Sequence, residues 1–220
     1  GDDKLYASAE QYAYGMLLDG GDGNDTLIAQ RMANSGTYRG GAGNDVIDVR
    51  AGYRATIDGG TGDDTLFGSV YDETYIYNLG DGKDTILDAG GNDRIVFGEG
   101  IHPEDWTLTR EGGDMVMTHR NGGDRITIQK WFEGSSYYIE RFEFAGGTVW
   151  TPQTIAQDFT FVQYAAPAGS TLSGWAGQDI YYGGIGNDTI YAGTDDQAYG
   201  GAGDDKLYAS AEQYAYGMLL

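Results

Sequence analysis

Aspartates recur along the chain at the sixth position of a nine-residue pattern, Gly-Gly-x-Gly-x-Asp-x-apolar-x. The stretch GGDGNDTLI (20–28) returns in near copy as GGAGNDVID (40–48), GGTGDDTLF (59–67) and GGIGNDTIY (183–191). The aspartates at this position, or equivalent to it, are Asp3, Asp25, Asp45, Asp64, Asp84, Asp188 and Asp205. Carboxylates beside glycine-rich turns, which offer free backbone carbonyls, are typical ligands of hard cations. The pattern therefore predicts a series of oxygen-ligated cation sites.

The composition excludes several competing chemistries. The chain has 34 acidic and 13 basic residues, a net charge of -21, no cysteine and two histidines. Such an acidic chain repels nucleic acid and anionic lipid, and without cysteine it has neither disulfides nor thiol chemistry. No nucleophile paired with a base is evident, so we expect no enzyme activity, no nucleic-acid partner and no membrane insertion. His102 and His119 are expected on the surface.

Stacked carboxylates without basic partners need a counterion. Two carboxylates about 4 Å apart repel by about 4 kcal/mol at a protein-like effective dielectric constant. Calcium relieves this repulsion because it accepts about six to eight oxygens in irregular geometry, whereas magnesium requires an octahedron. The turn glycines expected to contribute carbonyl oxygens are Gly21, Gly23, Gly41, Gly43, Gly60, Gly62, Gly184 and Gly186. We therefore expect the bound cation to be Ca2+.

A glycine-rich turn followed by a short strand is the local structure that the nonapeptide predicts, because glycine permits backbone angles and close approaches that other residues resist. The apolar eighth residue then points inward, as does the residue two positions before each turn. The eighth-position residues are Leu27, Ile47, Leu66, Ile86, Ile190 and Leu207. The residues before the turns are Leu18, Tyr38, Ile57, Tyr77, Tyr181 and Ala198. The sequence therefore predicts two inward-facing apolar ladders on stacked strands.

The nonapeptide resembles the calcium-binding repeat of RTX proteins, over residues 19–96 and 172–208. This resemblance implies an all-β fold, a right-handed parallel β-roll in which each coil has two strands and two turns, with calcium between stacked turns. The aspartates recur at uneven intervals of 17 to 22 residues, with degenerate segments between them. We therefore expect one main column of about five or six Ca2+ ions. Asp93 and Asp179 are expected to add weaker sites on the other side of the roll.

Residues 101–150 interrupt the repeats with alternating apolar positions, as in DRITIQKWF (124–132), which predict a small antiparallel β-sheet. GIHPEDWTLTREGGDMVMT (100–118) and WFEGSSYYIERFEFAGGTVWT (131–151) are similar to the haemolysin-type calcium-binding protein related domain that follows RTX repeats. The resemblance implies that this segment caps the open end of the roll. The predicted organisation is a β-roll at 1–100, an antiparallel β cap at 101–150, a connector at 151–171 and the start of the next roll at 172–220.

Residues 1–18 are repeated letter for letter as residues 203–220. The identity predicts one unit of a tandem array, whose neighbouring identical repeats join end to end; an engineered duplication is the alternative explanation. The predicted function is a calcium-dependent structural or adhesive repeat of a secreted bacterial protein, in an extracellular filament, adhesin, biofilm or surface layer. The family resemblance implies type I secretion, with folding on calcium binding outside the cell.

Two other functions fit the same residues. One is an accessory calcium-binding module of a type I secreted enzyme or toxin. The other is a carbohydrate-binding module, in which exposed tyrosines of the degenerate segments bind surface glycans; these tyrosines include Tyr12, Tyr14, Tyr53 and Tyr71. Tyrosine is also common in half-buried strands, which explains the same residues without a ligand.

Overall fold

The computed structural model describes residues 1–7, 15–30 and 35–209, and almost all of its regular structure is short β-strands. The strands are β1 (Lys4–Ala7), β2 (Leu17–Asp22), β3 (Thr26–Ala29), β4 (Thr37–Ala42), β5 (Val46–Asp48), β6 (Thr56–Thr61), β7 (Thr65–Phe67), β8 (Thr74–Tyr77), β9 (Lys83–Leu87), β10 (Arg94–Phe97), β11 (Trp106–Glu111), β12 (Asp114–His119), β13 (Arg125–Ile128), β14 (Arg141–Glu143), β15 (Val149–Trp150), β16 (Thr160–Tyr164), β17 (Thr171–Ser173), β18 (Gln178–Tyr182), β19 (Thr189–Ala192), β20 (Gln197–Tyr199) and β21 (Lys206–Ala209).

The helical segments are short. Helix α1 spans Pro152–Asp158 and begins at a proline, which suits the first helical position because no N–H is needed there. Single 3-10 turns lie at Pro103–Asp105, Trp131–Glu133 and Ser135–Tyr137. Within the described ranges, no helix is long and apolar enough to cross a membrane.

The chain divides into two compact units, residues 1–107 with 113–151, and residues 108–112 with 152–220. In the first unit, strands β1 to β10 alternate between two sheets. One sheet has the order β1-β3-β5-β7-β9-β13-β12-β11, and the other has the order β15-β14-β10-β8-β6-β4-β2. The strands β1 to β10 pair in parallel with the strand one coil away, which gives the stacked coils of a β-solenoid and confirms the predicted fold class.

The core of the first unit is the pair of inward ladders. Leu27, Ile47, Leu66 and Ile86 stand in register on one sheet, and all four are buried. Burying an aliphatic side chain of this size stabilises the fold by about 1.5–3 kcal/mol. On the facing sheet the buried residues in register are Leu18, Tyr38, Ile57, Tyr75, Ile95 and Phe142.

One member of the facing ladder differs from the prediction. Ile57 pairs with Tyr75, whereas Tyr77 lies further along the same strand and pairs with Phe97. The reason is the length of the next turn, since Ile57 precedes the aspartate of its turn by 7 residues and Tyr75 precedes Asp84 by 9. Tyr77 is still buried because strand side chains alternate with a period of two residues.

Residues 101–150 do not form a sheet of their own, which corrects the predicted separate antiparallel sheet. Strand β13 pairs in parallel with β9, and β14 pairs in parallel with β10. The antiparallel pairs, β12 with β13 and β14 with β15, lie beyond these strands in the same two sheets. The last coil of the roll would otherwise leave two rows of backbone N–H and C=O groups unpaired. This segment therefore extends both sheets of the roll.

The second unit repeats the plan on a smaller scale. Its sheets have the orders β16-β18-β20 and β17-β19-β21, all paired in parallel. The roll starts earlier than predicted, because β16 lies inside the expected connector. Tyr181 and Ile190 pack with Leu172 in the core, and Ala198 is partly buried against them. Leu207 is in register with Ile190 but 50% exposed, since no described strand follows β21.

Candidate metal sites

The sixth-position aspartates of the first unit form a hydrogen-bonded series, here called the inner ladder: Asp3, Asp25, Asp45, Asp64 and Asp84. The backbone N–H of Asp25 donates to Asp45 Oδ1 at 2.6 Å, and that of Asp45 donates to Asp64 Oδ1 at 2.7 Å. The same bond joins Asp3 to Asp25 at 2.6 Å and Asp64 to Asp84 at 3.0 Å. All but Asp3 are buried. One carboxylate oxygen of each of the four buried aspartates therefore accepts a hydrogen bond from the preceding coil.

The second carboxylate oxygen is not satisfied. The Oδ2 atoms of Asp25, Asp45 and Asp64 are buried and have no hydrogen-bond partner. A buried acceptor without a partner costs about 1–3 kcal/mol, and more when it is charged. These orphaned oxygens fit a bound cation, which would supply the missing partner.

Glycine at the first position of each turn makes room for this oxygen. A methyl group at Gly40 would collide with Asp45 Oδ2 and also with the carbonyl oxygen of Gly59 in the next coil. A carboxylate oxygen and a backbone carbonyl oxygen therefore approach the same place. The prediction named the second and fourth glycines of each turn; the first glycines, Gly20, Gly40, Gly59 and Gly183, were missed although every copy carries one.

The predicted turn glycines stack backbone on backbone. Gly41 and Gly43 have φ angles of 114° and 128°, in the left-handed region that favours glycine. A methyl group on either would collide with a carbonyl oxygen of the preceding turn, that of Gly21 or of Gly23. Gly60, Gly62 and Gly184 also have positive φ angles, while Gly186 lies against the backbone of Gly169 without one. Carbonyl oxygens thus lie between consecutive turns, where the prediction requires them.

A second series runs through the fifth position of the nonapeptide, here called the outer ladder: Asn24, Asn44 and Asp63. Asn44 N–H donates to Asn24 Oδ1 at 2.7 Å, and Asp63 N–H donates to Asn44 Oδ1 at 2.9 Å. These side chains accept from the following coil, whereas the inner-ladder carboxylates accept from the preceding one. The two ladders therefore hold adjacent turns together from both directions. Sequence reasoning missed the outer ladder, although its signal is the Asn or Asp that precedes Asp25, Asp45 and Asp64.

Burial disfavours the charged form of the carboxylates when no ion is bound. Burial, together with the neighbouring aspartates, raises the pKa of Asp64 to about 7 and that of Asp84 to about 8. It raises the pKa of Asp45 and brings the pKa of Asp81, in the same row of turns, to about 6. The inner ladder therefore needs either protons or a cation near neutral pH.

Asp124 closes the end of this row, a role that the sequence did not indicate. It is buried, and its two carboxylate oxygens accept the N–H groups of Gly80 at 3.0 Å and Gly82 at 3.2 Å. The loop between β12 and β13 thus supplies a side-chain acceptor to the last glycine turn of the first unit.

The second unit has an inner ladder of the same kind. Ser170 N–H donates to Asp188 Oδ1 at 2.7 Å, and Asp188 N–H donates to Asp205 Oδ1 at 2.9 Å. Asp188 Oδ2 is buried without a partner, next to Gly183. Asp188 and Asp205 are thus brought together as the spacing predicted.

Asp179 and Asp93 lie in the opposite row of turns of their units. Asp179 N–H donates to Asp196 Oδ1 at 2.8 Å, and Asp179 Oδ2 accepts from Trp175 N–H at 2.8 Å. Asp93 lies with Glu73 and Asp88, and one oxygen of each lies within 4.8 Å of the others. Sequence reasoning missed Asp196, Glu73 and Asp88, because the segments that carry them depart from the nonapeptide.

The tyrosines proposed for sugar binding are only partly described. Tyr12 and Tyr14 lie outside the described residues. Tyr53 and Tyr71 contact each other, with ring centroids 4.4 Å apart and ring planes tilted by 35°. Glycan binding stays a prediction.

The prediction that both histidines lie on the surface is wrong for one of them. His102 is exposed, but His119 is buried, with Nε2 at 3.6 Å from Asp105 Oδ2 and its ring against Trp106. His119 ends β12 on its inward face, which the sequence alternation of DMVMTH could have indicated.

Comparison with known sequences finds two families. The profile of the RTX calcium-binding nonapeptide repeat matches residues 17–31, 35–53, 54–70, 78–101, 170–190 and 192–212. The profile of the haemolysin-type calcium binding protein related domain matches residues 114–154. Both resemblances read from the sequence are thereby confirmed.

The comparison also finds a similar curated protein, the iron-regulated protein FrpA of Neisseria meningitidis serogroup C. It is 33% identical over 97 residues, which cover 40% of this chain but 9% of the length of FrpA. The likeness therefore concerns a small part of a much longer protein.

Proposed function

The chain belongs to the RTX calcium-binding nonapeptide repeat family, whose profile matches more than half of it, and we propose that it is a calcium-dependent structural or adhesive repeat of a secreted bacterial surface or extracellular protein. The observation that carries the proposal is the row of buried aspartate oxygens without partners: Oδ2 of Asp25, Asp45, Asp64 and Asp188. Nothing in a purely structural turn would require a carboxylate at these positions.

The residues that would hold calcium follow from the stacking of the turns. In the first unit they are the inner-ladder aspartates together with the turn carbonyls between them, and in the second unit they are Asp188 and Asp205. Calcium supplies two positive charges and accepts carboxylate and carbonyl oxygens in irregular geometry. The protein holds these oxygens one coil apart through the hydrogen bonds that backbone N–H groups donate to the Oδ1 atoms.

Folding would then depend on calcium. The net charge of -21 and the 38 glycines both oppose a compact ion-free state, the first through repulsion and the second through chain entropy. Extracellular calcium modules bind with dissociation constants of about 0.1–1 mM. A chain with such sites stays unfolded where calcium is scarce and folds where it is abundant. This behaviour suits passage out of a bacterium by type I secretion.

A structural role fits the exact repetition of 18 residues at two places in the chain. Parallel coils stack along one axis at about 4.8 Å per coil, so further copies would lengthen the same roll. We propose neighbouring repeats, or a second copy of the chain, as the partner of the roll, and extracellular filaments or surface layers as its setting. The buried acids have a role as calcium ligands, so we assign them no catalytic role.

A second candidate function is an accessory calcium module of a larger secreted enzyme or toxin. The match to 9% of the length of FrpA favours it, because there the similar segment is one part of a long protein. Deletion of this segment from a full-length parent protein separates the candidates. Loss of surface attachment with normal secretion supports the adhesive role, and loss of a parent enzyme or toxin activity supports the accessory one.

The proposal is tested by titrating the 220-residue chain with calcium from zero to about 10 mM, with magnesium as the control. Far-UV circular dichroism reports folding and light scattering reports self-association. We expect a cooperative transition from disorder to β-structure with calcium alone. A chain that is fully folded in chelator, or that responds equally to magnesium, would contradict the proposal.

A further inference from the structure

Three carboxylates meet in the turns on the side of the first roll opposite to the inner ladder. Glu73 precedes β8, Asp88 follows β9, and Asp93 precedes β10. One oxygen of each lies within 4.8 Å of the others, and all three residues are 0–1% exposed. We call them the second-side cluster. Among the ion pairs of the described residues, none involves these three carboxylates.

The second-side cluster lies on a ladder of its own. Glu73 N–H donates to Asp93 Oδ1 at 2.6 Å, and Asp93 N–H donates to Glu140 Oε2 at 2.7 Å. The residues that follow them, Thr74, Arg94 and Arg141, are paired in register. Glu73, Asp93 and Glu140 thus occupy the place that sixth-position aspartates occupy on the other side, although only Asp93 follows a pair of glycines. Glu140 belongs to the segment that matches the related domain.

The oxygens of the cluster are satisfied except for one. Glu73 accepts the Ser69 N–H at 2.8 Å and the Ser69 hydroxyl at 2.9 Å. Asp88 accepts the Tyr75 hydroxyl at 2.6 Å and the Gly90 N–H at 2.9 Å. Asp93 Oδ2 is buried and has no partner.

The unsatisfied oxygen is an observation independent of the clustering of acids. Uncharged donors surround Glu73 and Asp88, but nothing in the described structure neutralises three buried charges. An unpaired buried acceptor on a residue clustered with two other carboxylates is stable only with a proton or a cation beside it.

We propose that Glu73, Asp88 and Asp93 bind one Ca2+ ion in the first unit, and that this ion fixes the segment carrying Glu140 to the roll. The inference rests on the proposed function for the choice of ion, but its site shares no residue with the inner ladder. Calcium suits the cluster because the available ligands are all oxygens in an irregular arrangement.

The ion would link the roll to the segment after it. Asp93 would hold the cation through its carboxylate, while its backbone N–H bonds Glu140, so binding orders both sides of this contact. Glu73 connects to the preceding coil through the N–H of Ala55, which donates to Glu73 Oε1 at 3.4 Å. The site therefore joins consecutive layers where the nonapeptide pattern is absent.

The test is to count calcium ions per chain by native mass spectrometry and flow dialysis, using the 220-residue chain. The variants are Asp88→Asn and Glu73→Gln. The control is Glu99→Gln, which removes one exposed acid at the other end of β10. Each cluster variant is expected to bind one ion fewer than the unchanged chain, and the control the same number. An amide in place of Asp88 or Glu73 also offers a donor to Asp93 Oδ2, so the variants should remain folded, which circular dichroism in calcium checks.

The outcomes separate this inference from the proposed function. An unchanged ion count in both cluster variants, with a folded chain, overturns the inference and leaves the inner ladder intact. A chain that binds only one ion, lost in Asp88→Asn, supports the inference and contradicts the inner-ladder proposal. A chain that binds no calcium overturns both.

Discussion

The backbone N–H of Asp45 donates a 2.7 Å hydrogen bond to Oδ1 of Asp64, the equivalent aspartate one coil further on, while Oδ2 of both residues is buried without a partner. One oxygen of each carboxylate therefore sets the spacing of the coils, and the other is left for a ligand. This division explains why the sixth position is aspartate in each copy. Asparagine could accept the backbone bond equally well, but it could not offer a charged oxygen to a cation.

Replacement of Asp45 and Asp64 by asparagine should raise the calcium concentration at the midpoint of folding by about tenfold, because ligand charge sets the affinity of calcium sites. The backbone bonds to Oδ1 can remain, so the folded state at saturating calcium should be unchanged. Circular dichroism at increasing calcium measures the midpoint, with Glu99→Gln, which removes one exposed acid, as the control. If the double variant and the control share one midpoint, the ladder does not hold the ions.

A methyl group at Gly40 should destabilise the calcium-bound roll by about 1–3 kcal/mol, the usual cost of overpacking. It would collide with Asp45 Oδ2 and the Gly59 carbonyl oxygen, whereas a methyl group at Gly146 meets open space. Urea unfolding of Gly40→Ala and Gly146→Ala in calcium provides the comparison. Equal stability of the two variants would mean that the first glycine of the turn is not needed for space.

Calcium binding by the inner ladder should weaken as the pH falls from 8 to 6. The pKa values of Asp64 and Asp84 are raised to about 7 and about 8, so calcium must displace protons that these buried carboxyls retain. The folding stability of the ion-free roll changes with pH in the opposite direction to calcium binding. The stability that these two carboxyls contribute is present below their unfolded pKa, about 3.9, and is lost as the pH rises through 7 to 8. Because the raised pKa values belong to the folded ion-free roll, calcium affinity is measured at pH 6, 7 and 8 on a chain kept folded by an osmolyte, at constant ionic strength. An affinity that does not change with pH would contradict the raised pKa values.

The inner ladder could be predicted because its signal is local. Every ligand position lies within one nonapeptide, so Asp25, Asp45 and Asp64 could be identified without knowing how the coils align. The second-side cluster could not, because Glu73 and Asp93 meet only through the register of β8 and β10. The same dependence on register caused the misplacement of Tyr77, since the two extra residues of its turn leave no mark in the apolar pattern.

The extension of both sheets beyond residue 100 could not be predicted from the sequence either. Alternation in residues 124–132 indicates a strand correctly, but it does not say which strand is its neighbour. Strand β13 pairs in parallel with β9, and β14 with β10, because these strands of the last coil have unpaired backbone groups. Those groups exist only once the coils have folded.

Removal of the Phe142 side chain should test whether this segment and the roll are one cooperative unit. Phe142 is fully buried and in register with Ile95, so Phe142→Ala should cost about 3–5 kcal/mol. Urea unfolding in calcium can be followed by circular dichroism, which reports the roll, and by tryptophan fluorescence. If residues 137–145 fold with the roll, both signals shift together. A shift in fluorescence alone would mean that this segment unfolds separately.

The outer ladder should contribute to stability through hydrogen bonding without a requirement for charge. Asn44 Oδ1 accepts the N–H of Asp63, and the third copy carries an aspartate at the equivalent position, whose Oδ1 accepts the N–H of Lys83 at 3.0 Å. Asn44→Ala removes the acceptor and should cost about 1 kcal/mol. Asn44→Asp retains it and should restore most of that stability.

Urea unfolding of both Asn44 variants at saturating calcium separates this role from direct coordination of the ion. If the outer ladder acts only through its backbone bonds, the alanine variant loses stability while its number of bound ions stays the same. A lost ion in Asn44→Ala would instead place the fifth-position side chain among the calcium ligands. In that case both side chains would be calcium ligands. Asn44 would be the weaker of the two, because it is exposed whereas Asp45 is buried.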